Sequence, residues 1–105
     1  MAVVNPEVEF HLDGFIKQCS DMLKKYYEAN LPNLDTPELK VYVGGKYYKV
    51  TKRGDGGNNE SVWFFVDKEE GNIWKAASWA APAKNFPRGN ILTDNAKDVI
   101  GIHGV

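Results

Sequence analysis

Cysteine is all but missing: Cys19 stands alone among 105 residues, so no disulfide can form within the chain. A solitary thiol fits a reducing compartment better than an oxidising one. Histidine is nearly as scarce. His11 and His103 are the only two, and no CxxC, HxxxH or HExxH spacing occurs. Zinc frameworks need clustered nitrogen and sulfur ligands, so no metal or cofactor is expected. Ser20, Ser61 and Ser78 have no GxSxG surroundings, and Cys19 falls among apolar residues, where a thiol acts as a small hydrophobe rather than a nucleophile. No run approaches the about 18 apolar residues that cross a bilayer. The opening MAVVNPEVEF lacks the basic-then-apolar order of a secretory leader. These absences argue against catalysis and against a membrane partner. The expectation is a soluble intracellular binding protein.

Large net charge is lacking too, at −1, but its distribution is uneven. Residues 1–39 hold seven acids against three bases, whereas residues 40–91 hold nine bases against five acids. Such asymmetry marks either an anion-facing side or a solvated sheet face beside an acidic helix. What the chain has in plenty is apolar and aromatic residues, at 43% and 12%, which is a globular composition. A length of 105 residues leads us to expect one domain over residues 1–105.

The first third predicts an amphipathic helix over residues 6–29. Asn5 suits the N-cap, Pro6 the first helical position, and Glu7 and Glu9 the positive end of the helix dipole. Val8, Leu12, Phe15, Ile16, Cys19, Met22, Leu23, Tyr26 and Tyr27 recur at spacings of three and four, which makes one apolar stripe. Asn30 and Pro32 end it. Alternation then takes over. Strands are predicted at 39–43 and 46–53, joined by Gly44 and Gly45 as a turn with positive φ. This hairpin has an aliphatic face (Leu39, Val41, Val43, Tyr48, Val50) and a basic, tyrosine-bearing one (Lys40, Tyr42, Tyr47, Lys49, Thr51, Arg53).

After a glycine- and asparagine-rich loop at 54–60, a second hairpin is predicted from strands 61–67 and 72–79, turning at 68–71. Pairing Asp67 with Asn72 sets Phe65 against Trp74 and Trp63 against Ala76. Val62, Phe64, Val66, Ile73 and Ala77 fall on the other side, with Lys75 among them. Both faces of this hairpin are apolar, so one packs on the helix and something must cover the other. Residues 80–105 read as an irregular C-terminal segment, with a helical turn near 94–99 and an apolar tail, VIGIHGV, for an edge strand or a cover. The fold class is therefore α+β: one long helix on a four-stranded antiparallel meander.

All three tryptophans lie between residues 61 and 91. Tyr47, Trp63, Phe65 and Trp74, flanked by Lys49, Arg53, Lys84 and Arg88, form the candidate binding surface. Aromatics that stack bases and cations that neutralise phosphates are how single-stranded nucleic acid is held. Aromatic faces equally close homodimers and dock proteins. Helix, tail, twin subunit and nucleic acid are the four candidates to cover Trp63, Phe65 and Trp74.

The run FVDKEEGNIWKAASWAAPAKNFPRGNI resembles a pattern in small uncharacterised proteins of tailed bacteriophages: an aromatic strand, a DK-x-x-G turn, then KAASW, APAK and RGNI. The matching pieces are residues 65–68, Gly71, 75–79, 81–84 and 88–91, about a third of the chain. The resemblance implies a viral protein acting in the cytoplasm of an infected bacterium. It implies no activity. The reading of the residues is a binding module rather than an enzyme, associated with single-stranded nucleic acid, or alternatively one that homodimerises or docks on a host or phage protein.

Overall fold

The computed structural model describes residues 5–54, 59–83 and 87–101, and the order of elements is a long helix, four strands, a short fifth strand and a single helical turn. Lys84, His103 and most of the predicted glycine-rich loop lie outside the described residues. Helix α1 spans Pro6–Asn30. Its start is as predicted: the Asn5 side chain accepts from the Glu7 N–H at 3.0 Å, and Pro6 occupies the first turn. It ends where the Leu31 N–H donates to the Tyr27 carbonyl at 2.8 Å. Val8, Leu12, Phe15, Cys19 and Leu23 are its buried residues, one from each turn, which is the stripe read from the sequence.

Strands β1 (Glu38–Val43), β2 (Tyr47–Gly54), β3 (Asn59–Asp67), β4 (Asn72–Trp74) and β5 (Gly89–Asn90) form one antiparallel sheet in the order β1-β2-β3-β4-β5. The sheet thus has five strands where four were expected. The predicted fourth strand also ends early, at Trp74 rather than residue 79. Lys75, whose stem would have been carried into the core by a longer strand, is exposed instead.

The first hairpin departs from expectation by one turn residue. Val43 pairs with Tyr48 and Leu39 with Lys52, and the Gly44 N–H donates to Tyr47 O at 3.0 Å, so the two-residue link is Gly45–Lys46. Gly71, at φ 77, is the positive-φ glycine among the described residues, which removes the reason for centring the turn on Gly44 and Gly45. Moving the turn by one residue moves the register by two, and an even shift keeps every side chain on its predicted face. Gly71 closes the second hairpin. The Asp67 carboxylate accepts from the Glu70 and Gly71 N–H groups at 2.7 and 2.9 Å, and a Cβ on Gly71 would lie 3.1 Å from Ile91 Cγ1.

The departure that matters most lies in β3. Val50 pairs with Phe64 but Thr51 pairs with Val62, so Trp63 is an extra, bulged residue. Beyond the bulge the alternation reverses. Trp63 joins Phe64 on the helix side, and Val62 turns to the opposite side with Thr51. The core is Val8, Leu12, Phe15, Cys19 and Leu23 of α1 against Tyr48, Val50, Trp63, Phe64, Val66 and Ile73 of the sheet. Phe15 meets Phe64 edge-on at 6.1 Å. Full burial of side chains of this size contributes about 1.5–3 kcal/mol each.

The C-terminal segment closes the structure. Asn90 organises it: its side chain donates to Glu70 O (2.8 Å) and Asn72 Oδ1 (3.0 Å) and accepts from the Leu92 N–H (2.8 Å). Gly89 sits so close to α2 (Ala96–Val99) that a Cβ there would be 2.8 Å from Val99 Cγ1. Ile91, Ala96 and Ile100 enter the core, and Gln18 of α1 accepts from the Ala96 N–H at 2.9 Å. The predicted helical turn near 94–99 is present as α2, and part of the tail covers the core. No helix is long and apolar enough to cross a membrane among the described residues.

Candidate functional site

The side of the sheet away from α1 carries, strand by strand, Lys40 and Tyr42, then Tyr47, Lys49, Thr51 and Arg53, then Glu60, Val62 and Phe65, then Trp74. Alternation puts them there, with the bulge deciding which side β3 shows at each end. Part of this face is roofed by the chain itself. After β4, residues 75–83 turn back on themselves: Ala76 bridges Pro82, the Ala83 N–H donates to Lys75 O at 2.7 Å, and the Ala77 and Ser78 N–H groups share Ala81 O. The small residues Ala76, Ala77, Ser78, Ala80 and Ala81 allow so tight a fold-back. Its tip is Trp79.

Trp79 rests on β1 and β2. Its ring meets Tyr42 at 6.1 Å in an edge-on arrangement, and the Lys49 ammonium stands 4.0 Å from the indole centroid while donating to Trp79 O at 3.2 Å. Lys40 and Lys49 each place an ammonium 4.9 Å from the Tyr42 ring. Trp79 nevertheless remains 49% exposed. Next to it opens a cleft of about 250 Å³ whose walls include Tyr42, Val43, Tyr47, Phe65 and Ala80. Val43, at the end of the hairpin, is 71% exposed.

A polar knot lies at the other end of the face. Glu60 Oε2 accepts from the Tyr42 hydroxyl at 2.6 Å and from the Thr51 hydroxyl at 2.7 Å, and Glu60 Oε1 is 3.5 Å from Arg53 Nε. The hydroxyl of Tyr42, then that of Thr51, with Arg53 and Lys40 nearby, hold the Glu60 carboxyl below the ordinary glutamate range. The same hydrogen bond to Glu60, followed by burial, pushes the Tyr42 phenol up. On the helix side, burial raises the Cys19 thiol to about 12, so this thiol is protonated and inert at neutral pH. Burial also lowers the Lys52 ammonium, which stands 5.5 Å from the Trp63 ring.

The sequence-predicted surface is therefore only partly assembled. Tyr47, Lys49, Phe65 and Trp74 do share one face. Trp63 does not: it is 4% exposed, in the core, and its indole N–H donates to Gly101 O at 3.1 Å. Phe65 is 3% exposed, with Tyr47 edge-on at 6.1 Å, so it cannot offer a stacking face. Trp74 is half-buried and its indole N–H donates to Asp67 Oδ2 at 3.2 Å. Arg53 is engaged by Glu60. Arg88 joins through its backbone, donating to Ile73 O beside β4, which puts it across the sheet from Lys49 on β2. Sequence reasoning missed Trp79 and Glu60. The run of small residues around Trp79 was the available signal for the first, whereas nothing local marked Glu60. No group of three or more His, Cys, Asp or Glu stands where it could hold a metal ion among the described residues.

Comparison with known proteins places residues 7–102 in a family of unknown function, DUF7717, and the chain belongs to that family. No curated protein matches it. No solved structure matches it either.

Proposed function

We propose that this chain, a member of a family of unknown function, is a non-enzymatic interaction module whose outer sheet face binds a polypeptide. The observation that carries the reading is Trp79: half-exposed, seated by Tyr42 and Lys49, and bordering an open cleft with Val43 at its rim. Half-buried tryptophans and tyrosines with a fixed backing are the residues that dominate protein interfaces, because they lose little side-chain freedom on binding. The motif pattern KAASW … RGNI supports a viral protein acting in the cytoplasm of an infected bacterium as the setting.

Single-stranded nucleic acid is the second reading, favoured by the lysines at 40, 46 and 49 on this face. Three arrangements weigh against it. The ammonium groups already lie over the rings of Tyr42, Tyr47 and Trp79, where bases would stack. Glu60 and Asp67 offset part of the positive charge, and Trp63 and Phe65 are buried. Panning a random peptide display library on the protein, in parallel with Trp79→Ala, tests the first reading. The expected result is a consensus that the variant fails to enrich. A library without consensus, together with tryptophan quenching by a mixed-sequence single-stranded oligonucleotide that weakens as salt rises, would overturn it in favour of the second.

A further inference from the structure

Beyond Tyr47, on the side away from the Trp79 cleft, lies a second cleft of about 290 Å³, and its lining has a different character: Lys46, Tyr47, Asp67, Glu69, Glu70, Asn72 and Trp74. Three carboxylates face one ammonium there, a formal charge of −2 in a chain whose whole net charge is −1. Two aromatic rings, Tyr47 and Trp74, complete it. Two of the carboxylates have fixed partners. Asp67 is held by the Glu70 and Gly71 N–H groups and by the Trp74 indole, and Glu70 accepts from the Asn72 amide at 3.2 Å. Among the described residues, no group pairs with the Glu69 carboxylate. Glu69 and Glu70 are both exposed.

We infer that this cleft receives an arginine or lysine side chain of the bound polypeptide, while a neighbouring apolar side chain of the same segment enters the Trp79 cleft. The inference rests on the interaction reading above and specifies the chemistry of its partner. Charge complementarity is the first argument: a cation gains from the surrounding carboxylates, whereas an acidic side chain meets like charge at close range. Ring chemistry is the second. The Lys46 ammonium already stands 5.8 Å from the Tyr47 centroid, whereas among the described residues no ammonium lies over the half-buried Trp74 ring, and an indole attracts a cation most strongly. Continuity is the third, because the two clefts share Lys46 and Tyr47 and one extended segment can lie across both. Arginine suits the site better than lysine, since its planar group can lie on an aromatic ring and reach two carboxylate oxygens together.

Titration of the isotope-labelled protein with acetyl-Leu-Ala-Arg-amide and with acetyl-Leu-Ala-Glu-amide, read by amide and indole NMR shifts, decides the matter. The arginine peptide is expected to move the Trp74 indole and Asn72 signals in a saturable way, and the glutamate peptide to leave them in place. Replacing both Glu69→Gln and Glu70→Gln, on the exposed turn, should weaken the arginine peptide by about five- to tenfold, the scale of two partly screened carboxylates. Saturable shifts at Val43 and Ala80 with either peptide, and none at Trp74, would overturn this inference and leave the interaction reading standing. Absence of saturable shifts at both clefts would overturn both.

Discussion

Phe64 and Phe65 are neighbours in β3, and both are almost wholly buried, yet they belong to different structures. Phe64 is closed in by α1, with Phe15 across from it, in a layer of aliphatic and aromatic side chains that includes the Cys19 thiol. Phe65 lies under Tyr47 on the face where lysines, hydroxyls and a carboxylate are interleaved and where a short loop is the roof. The inner face is sealed by an element of 25 residues; the outer one is sealed by the chain's own fold-back at 75–83, whose tip remains half in solvent. One face has spent its apolar surface on folding. The other leaves some of it, at Trp79, open to solvent.

Truncating each phenylalanine sharpens that difference most strongly. Phe64→Ala opens a cavity between a helix and a sheet that cannot close on it, and is expected to cost about 3–5 kcal/mol of unfolding free energy, while Phe65→Ala, under a loop that can settle into the space, should cost less than about 3 kcal/mol. Urea unfolding of the two variants measures both. Equal losses would make the outer face a second core and remove the basis for reading it as a surface held open for binding.

Acidity separates the faces next, because the polar knot of Glu60, Tyr42, Thr51 and Arg53 belongs to the outer one alone. A carboxyl held below its ordinary value of 4.5 adds stability above that value and loses it as pH falls through the lower folded value. Urea midpoints taken from about pH 5 down to about pH 3 should therefore fall, and Glu60→Gln should flatten that part of the fall. Tyr42→Phe, which removes the largest cause of the shift, should flatten it less. A slope unchanged by both substitutions would mean that the hydroxyls do not hold the carboxylate.

Much of the inner face was legible in the sequence. The spacing of Val8, Leu12, Phe15, Cys19 and Leu23 gave the buried stripe of α1, and strict alternation gave Val41, Tyr48 and Val50 correctly even though the turn sits one residue later than expected. Alternation is a parity rule, so an error of two in register is harmless to it. An inserted residue is not. The bulge at Trp63 depends on how β3 meets β2, a long-range pairing with no mark in the string SVWFFV, and it moved one of the three tryptophans from the expected surface into the core. The outer face was less legible for a related reason. Trp79 was read as the end of a strand, and the short fifth strand at Gly89–Asn90 could not be seen because two residues carry no period. Asn90, whose side chain makes three hydrogen bonds, gives the RGNI piece of the resemblance a structural meaning: it ties the segment to the 68–71 turn and β4.

The smallest expected effect concerns the lysine that seats Trp79 on the outer face. Lys49→Met keeps a stem of similar length over Tyr42 and Trp79 but removes the ammonium, its bond to Trp79 O and its attraction to both rings. A lysine on an aromatic ring at a partly exposed site contributes about 0.5–1 kcal/mol, so the unfolding free energy should fall by no more than that, or hold steady if the thioether packs well. The local consequence is larger than the global one. With its anchor gone, the 75–83 fold-back should exchange its Ala77 and Ser78 amide protons faster, while Val50 and Phe64 amides keep their protection. Faster exchange on both faces would mean that the lysine supports the whole sheet. No change on either would mean that Tyr42 alone seats Trp79, and the cleft beside it would then owe its shape to ring packing rather than to the cation.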